Sequence, residues 1–263
     1  MAADMPLKAP ILDPWVGPYV SGNVGYGWGS LNTTATVDPF TFASGSTFFT
    51  FPGGGGPIRL DPNGIKAGGE VGYVWRWAPH WLSGVDADFQ WSGEKASGMG
   101  AFSGNFGFPA SISNCTSFAT PASCSYTNTT DITASLSWFG SFRFRGGYEA
   151  NGLWFYGTVG PAFGRVAVSG TNTLNVVGSI GGPVFTYTSV TPFSYSTTRL
   201  GAIGGVGVEG LIGTSNHWRW KAEYLCLDLG SIGGGSFGVF NVSAGKFIDE
   251  IFRVGIIYNF GTL

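Results

Sequence analysis

An all-β chain, folded as an eight-stranded antiparallel transmembrane β-barrel with long extracellular loops and short periplasmic turns, is what the sequence predicts. Three observations predict it. Eight segments alternate between an apolar and a polar parity, the connections between them alternate long and short, and aromatic residues bracket the segments at bilayer spacing. Composition agrees: charged residues make up 11% of 263, far below the usual quarter, while 45 residues are glycine and 16% are aromatic. No linker or shift in charge divides the pattern, so the expected organisation is a flexible periplasmic N-terminal tail, 1–14, followed by one barrel, 15–263. A net charge of -2 without a basic patch excludes a nucleic-acid partner. No apolar run reaches the ~18 residues of a spanning helix, which leaves strands as the route across a membrane.

Successive side chains of a strand point to opposite faces, so each segment divides into a lipid side and a lumen side. Segment 18–28 puts Val20, Val24, Tyr26 and Trp28 outward and Tyr19, Ser21 and Asn23 inward. Segment 67–77 gives Val71, Tyr73, Trp75 and Trp77 against Glu70, Val74 and Arg76; segment 81–91 gives Val85, Phe89 and Trp91 against Asp86, Asp88 and Gln90. In 136–148, Trp138, Phe142, Phe144 and Tyr148 face Ser137, Ser141, Arg143 and Arg145 across the wall. Segment 153–165 is ambiguous, because Phe155, Val159 and Phe163 compete with Trp154 and Tyr156; the first set is favoured for lipid. Segment 200–212 sets Ala202, Val206, Val208 and Ile212 against Glu209 and glycines, and 218–226 sets Trp220, Ala222 and Tyr224 against Arg219, Lys221, Glu223 and Leu225. The last segment, 252–260, alternates large apolar residues with small or polar ones, Arg253 inward, and closes on Tyr258 and Phe260.

Short connections fall at 78–80, 149–152 and 213–217, and long ones follow Trp28, Trp91, Arg165 and Cys226, which puts both chain ends on the periplasmic side. From Trp81 to Trp91, or Trp138 to Tyr148, the strand is about 33 Å long, or about 25 Å along the membrane normal at a tilt near 40°. Trp75, Trp77, Trp81, Tyr148, Trp218, Trp220, Tyr258 and Phe260 would then form a periplasmic girdle, and Trp28, Trp91 and Trp138 part of an outer one.

The inward parity gathers the cations Arg76, Arg143, Arg145, Arg219, Lys221 and Arg253 and the anions Glu70, Asp86, Asp88, Glu209 and Glu223. An eight-stranded lumen is narrow enough for side chains to fill, so these opposite charges are expected to interlock as a polar plug; a gated conduit or ligand site is the alternative. An enzyme is not expected. The two histidines, His80 and His217, fall in the periplasmic turns, far from the outer rim where a barrel hydrolase needs its base, and neither stands at metal-ligand spacing, so no metal and no cofactor is expected. Cys115 and Cys124 lie close together in one long loop and are expected to pair as a disulfide in an oxidising compartment, while Cys226 falls on the lipid face near the outer end of its strand. Stretches 40–57 and 101–109 are rich in phenylalanine and glycine without charge, so they either pack on one another or bind a partner, self-association included.

Several motifs together carry a family resemblance. They are Ala2-Ala3-Asp4-Met5-Pro6 with Lys8-Ala9-Pro10, the run Pro18-Tyr19-Val20-Ser21-Gly22-Asn23-Val24-Gly25-Tyr26-Gly27-Trp28-Gly29, and Gly84-Val85-Asp86-Ala87-Asp88-Phe89-Gln90-Trp91-Ser92-Gly93. To these add Lys221-Ala222-Glu223-Tyr224-Leu225 with Leu227-Asp228-Leu229-Gly230, and Arg253-Val254-Gly255 before Tyr258-Asn259-Phe260. The set resembles the small alphaproteobacterial outer-membrane proteins of the OmpA-like porin family. The departures are Gly261-Thr262-Leu263 beyond the usual terminal aromatic, and Cys226 where the family often carries an aromatic. The resemblance implies an eight-stranded barrel with an envelope role, and a mature N-terminus that is joined to peptidoglycan in relatives; Ala2, Ala3 and Asp4 are similar to that attachment signature. No charged and apolar leader precedes them, so the expected form is a mature exported protein behind an added methionine.

The expected function is structural: an outer-membrane barrel with a plugged lumen that supports envelope integrity and is tethered to peptidoglycan. Its expected partners are outer-membrane lipid, lipopolysaccharide and peptidoglycan. The alternatives are a narrow porin for small solutes and a surface adhesin or ligand-binding barrel acting through its aromatic loops.

Overall fold

The computed structural model describes residues 13–44, 47–107, 123–179, 184–213 and 217–261. Among them every regular element is a strand: β1 (Gly17–Val37), β2 (Phe40–Ser44), β3 (Thr47–Phe51), β4 (Gly54–Leu60), β5 (Asn63–Ala78), β6 (Trp81–Gly107), β7 (Ser123–Ala150), β8 (Leu153–Ser179), β9 (Val184–Leu211), β10 (Trp218–Phe237) and β11 (Phe240–Asn259). Each of β5 to β10 pairs antiparallel with the next, and β1 joins β5 on one side and β11 on the other, so the lower part of the sheet closes without an edge. β2 and β3 form a separate hairpin, and β4 lies against the upper part of β1.

The tilt follows from the register. Starting at Trp28 and stepping through the paired residues Glu250, Cys226, Gly204, Val159, Phe144, Val85 and Tyr73 returns to β1 at Pro18. That stagger, with strands ~4.8 Å apart and ~3.3 Å per residue, requires a tilt of about 40°. Corrected for it, Trp28, Trp91, Trp138, Phe163 and Leu200 share one height, and Trp81, Tyr148, Phe155, Trp218 and Tyr258 share another below it.

Between these heights the outer surface is apolar and the predicted parity holds. Val71, Phe142, Phe144, Val159 and Val206 are each half or more exposed, and the ambiguous segment resolves with Phe155, Val159 and Phe163 outward and Trp154 and Tyr156 buried inside. The periplasmic girdle is a chain of ring contacts: Trp77 on Trp81, Trp81 on Tyr148, and Trp218 and Phe260 on Tyr258. An apolar belt about 25 Å tall, edge-free and framed by aromatics, fits a bilayer, and antiparallel barrels of this kind belong to the bacterial outer membrane.

Above the outer girdle the expected long loops are mostly strand. The β6–β7 pairing runs unbroken from Glu94 and Leu136 to Gly107 and Ser123, and β8–β9 runs to Ser179 and Val184. From Arg165 to Ser179 the chain climbs about 46 Å of strand, or about 35 Å along the barrel axis. These segments escape a lipid-facing pattern because their code is reversed: Val166, Val168, Leu174 and Val176 point inward, while Thr171, Thr173 and Asn175 point out to water.

The barrel also changes form there. β9 leaves β10 after Ala202 and Asp228, and β4 takes the place of β5 beside β1 from Leu31–Leu60 to Val37–Gly54. The upper part is therefore two facing four-stranded sheets, β6–β7–β8–β9 and β4–β1–β11–β10. Register shifts at Leu31/Thr33, Trp91/Glu94, Leu136/Trp138 and Asp228/Gly230 cluster at this transition, as bulges do at barrel rims. One of them corrects the lumen parity: the shift beside Leu136 turns Ser137 outward and puts Leu136 and Phe139 inside. Side chains close both seams. Arg199 donates to the Ile232 carbonyl at 3.2 and 2.7 Å and Tyr195 to that of Gly233 at 3.3 Å. On the other side Ile58 and Leu60 lie so close over β6 that a Cβ on Gly98 would stand 2.7 Å from Leu60 Cδ2, and one on Gly100 2.6 Å from Ile58 Cδ1.

Candidate functional site

The interior of the membrane section is the candidate site, because β1 and β5 to β11 all deliver polar residues to it. Arg143 on β7 is its hub: the guanidinium reaches Glu70 at 2.8 Å, Asp86 at 3.0 Å, Glu223 at 3.3 Å and Asp88 at 3.5 Å. Arg253 on β11 holds Asp88 and Glu223 at 2.6 Å and Glu70 at 3.1 Å, and Lys221 on β10 meets Glu70 at 2.6 Å. Ser141 donates to Asp88 at 2.7 Å and Tyr156 to Glu223 at 2.9 Å, so neutral donors fill acceptor positions that the cations leave.

A lower layer continues the network towards the periplasm. Arg145 bonds Glu209 and meets Asp86 at 2.8 Å, and its guanidinium lies over Tyr19, Trp154 and Tyr156 at 5.0, 4.9 and 5.0 Å from the ring centroids. The Tyr19 hydroxyl accepts from Arg145 and donates to Glu70 at 3.0 Å. Glycines opposite make room for these rings: a Cβ on Gly72 would stand 2.5 Å from Tyr19, and one on Gly207 2.5 Å from Tyr156. Arg219 faces Glu209 at 3.6 Å and donates to the Trp15 carbonyl at 3.2 Å.

That last bond closes the base. Trp15 is buried against Trp154 with ring centroids 6.4 Å apart, and Asn259 donates to the carbonyls of Pro14 and Val16 at 2.8 and 3.3 Å. Arg76, expected in the lumen, instead stands half-buried at the rim of this base, where it grips Asp13 at 2.6 Å and Glu149 at 3.2 Å. The other ten predicted lumen residues, Glu70, Asp86, Asp88, Arg143, Arg145, Glu209, Arg219, Lys221, Glu223 and Arg253, are buried together.

A second tier went unread in the sequence. Lys66 bonds Glu94 and Asp249 at 2.7 Å each and lies over the Phe139 ring at 5.2 Å. Lys66 extends the Gly68–Glu70 parity by one step and was legible. Glu94 and Asp249 fall in stretches that read as loop. Counted together, six buried cations face seven buried carboxylates, so the balance expected of the lumen persists. Above this tier Leu31, Leu136 and Phe247 belong to an apolar cluster continuous with the core of the upper sheets, and Leu227, paired with Asp249, and Leu225, paired with Ile251, carry the same cluster down beside the tier. Among the described side chains of the phenylalanine-rich stretch 40–57, Phe51 is fully buried, 4.8 Å from Tyr126 and 5.4 Å from Phe40.

The remaining predicted residues fall elsewhere. His80 lies beside Tyr148, with ring centroids 5.5 Å apart and planes tilted by 37°, and His217 Nδ1 lies 2.8 Å from the Asn259 carbonyl, both at the turns. Cys124 is a buried free thiol; Cys115, and with it the expected disulfide, lies outside the described residues. Cys226 is exposed on the outer face. Ala2, Ala3 and Asp4 also lie outside the described residues. Among the described residues no cluster of His, Cys, Asp and Glu has metal-binding geometry.

No family model and no curated protein matches the chain, so the likeness of its motifs to OmpA-like porins stands on those residues alone. Solved structures similar to it are outer-membrane and surface proteins. The attachment invasion locus protein Ail of Yersinia pestis is 13% identical, covers 90% of this chain and 99% of its own, and has a TM-score of 0.25. Neisserial surface protein A is 12% identical over 93% and 97%, with a TM-score of 0.26. OprG of Pseudomonas aeruginosa is 10% identical over 94% and 98%, with a TM-score of 0.35.

Proposed function

We propose that this chain is a closed structural barrel of the bacterial envelope, one that spans the outer membrane without conducting, raises a two-sheet head outside, and is joined to peptidoglycan through its N-terminal segment. The observation that carries this reading is the filling of the interior along its height: Trp15 below, the Arg143 and Lys66 networks in the bilayer, and the apolar layer of Leu31, Leu136 and Phe247 above. A diffusing ion would have to break charge pairs in a low-dielectric interior and then cross an apolar core, and each step is costly. The histidines lie at the wrong end for surface hydrolysis, so the reading contains no catalytic step. Asp13 and Trp15 enter the base from the wall side, and the 12 residues before them could extend about 40 Å towards peptidoglycan.

Single-channel recording on the full chain in planar bilayers tests the closed barrel: no conductance steps are expected, and reproducible steps abolished by larger lumen side chains would make it a porin. Peptides released with muropeptides from lysozyme-treated sacculi test the tether; they are expected to include residues from Ala2 onward, and their absence removes the covalent link. A second reading, display of a binding surface, is favoured by the height of the head. Binding to a surface partner that disappears when 102–128 are replaced by a tight turn would move the function there.

A further inference from the structure

A charged side chain, Glu250, faces outward at the outer girdle. Glu250 on β11 points outward between Trp28 and Cys226, its cross-strand neighbours. Its Oε2 accepts from Trp28 Nε1 at 2.9 Å and from the Tyr224 hydroxyl at 2.8 Å, so the carboxylate is held in a fixed position. The rings of Tyr26, Trp28 and Tyr224 stand in a row, 6.4 Å between each neighbouring pair of centroids, and all three are more than 40% exposed.

Holding is not neutralising. Among the described residues Glu250 makes no ion pair, and Lys246, the next outward cation on the same strand, is taken by Asp228 at 2.7 Å. Both bonds to Glu250 reach the same oxygen, which leaves Oε1 free to accept from a third group. A carboxylate here costs little in itself, because the girdle marks the edge of the hydrocarbon. What it offers is a fixed negative charge beside three exposed aromatic faces, at the depth where lipid headgroups lie.

We propose that Glu250, Trp28, Tyr26 and Tyr224 bind the ammonium group of a lipid headgroup at the outer boundary of the membrane. The chemistry selects an organic cation over a metal ion. Calcium seeks six or more oxygen ligands, and this site supplies one carboxylate whose neighbours are engaged as donors. An ammonium group needs only the free oxygen and the faces of nearby rings, which attract it within about 6 Å of their centroids. The site rests on the reading of the barrel as membrane-spanning.

The test uses the full chain folded in micelles, with lipid retention read by native mass spectrometry for phosphatidylethanolamine, phosphatidylcholine and phosphatidylglycerol, and separately for calcium. The folded chain is expected to retain the two ammonium lipids over phosphatidylglycerol. Glu250→Gln is expected to weaken that preference about tenfold, Glu250→Asp to restore part of it, and Trp28→Leu to weaken it independently. Equal retention of all three lipids, an unchanged preference in Glu250→Gln, or calcium binding that needs Glu250 would overturn the proposal. Insertion into liposomes, followed by heat-modifiable migration, is read in parallel: a chain that inserts without headgroup preference loses this site alone, whereas one that does not insert loses the membrane reading as well.

Discussion

β8 passes through two solvents without changing parity, and its even positions face inward from end to end. In the membrane those positions are Trp154, Tyr156 and Thr158, with Phe155, Val159 and Phe163 towards lipid; above it they are Val166, Val168, Leu174 and Val176, with Thr171, Thr173 and Asn175 towards water. The two halves of one strand are inverted in chemistry, and the difference shows that the medium outside dictates the filling inside. Where lipid takes the apolar face, the remaining polar parity must pair within a confined lumen, and its charges do so through the network around Arg143. Where water takes the polar face, the inner parity becomes a mainly hydrophobic core, in which one polar knot remains where Asn172 donates to Asn128 and Thr130, and closed pairing gives way to two sheets joined by side chains.

The lower half should therefore fail through charge and the upper half through cavities. The largest effect is expected from Arg143→Met, which strips one cation from four carboxylates; it should cost about 3–5 kcal/mol in urea unfolding of the lipid-reconstituted protein. Leu227→Ala, in the apolar cluster, should cost about 2–4 kcal/mol, with hydrogen exchange rising first in β10 and β11 above the girdle. A matched pair on the outer surface sharpens the contrast. Val206→Arg, on the lipid face between the girdles, should cost about 2–4 kcal/mol, whereas Thr173→Arg, above the bilayer, should stay within about 0.5 kcal/mol. An effect smaller than that of either interior change is expected at the seam, where Tyr195→Phe removes the bond to Gly233 and should cost about 1 kcal/mol without altering insertion.

The same inversion explains how much was legible in the sequence. Alternation with aromatic ends exposed all eight membrane strands, and inward parity found ten of the lumen charges, because lipid exposure imposes a strong and uniform pattern. Arg76 was misplaced because parity fixes a face and not a height, and at the periplasmic rim that face meets Asp13 and Glu149 rather than the network. Ser137 was misplaced because a bulge shifts parity by one residue and leaves no local mark in Ser137-Trp138. Glu94 and Asp249 were missed because their segments obey the water-facing code, in which threonine and serine alternate with small apolar residues and resemble loop. Testing the stretches above the girdle for the reversed alternation extends strands upward, as seven of the eight are in the structure, and brings both carboxylates to Lys66.

The central claim is that the barrel changes solvent at the outer girdle, and a spin-label scan along the outward positions of β8 tests it most directly. Labels at 155, 159, 163, 165, 169, 171, 173 and 175, in a background without other cysteines and reconstituted in bilayers, would be compared for collision with oxygen and with a water-soluble nickel chelate. Oxygen accessibility is expected to dominate through 163 and chelate accessibility from 165 upward, with the switch completed within a turn of the pleat. Lipid-like accessibility continuing to 175, or water reaching 159, would contradict it.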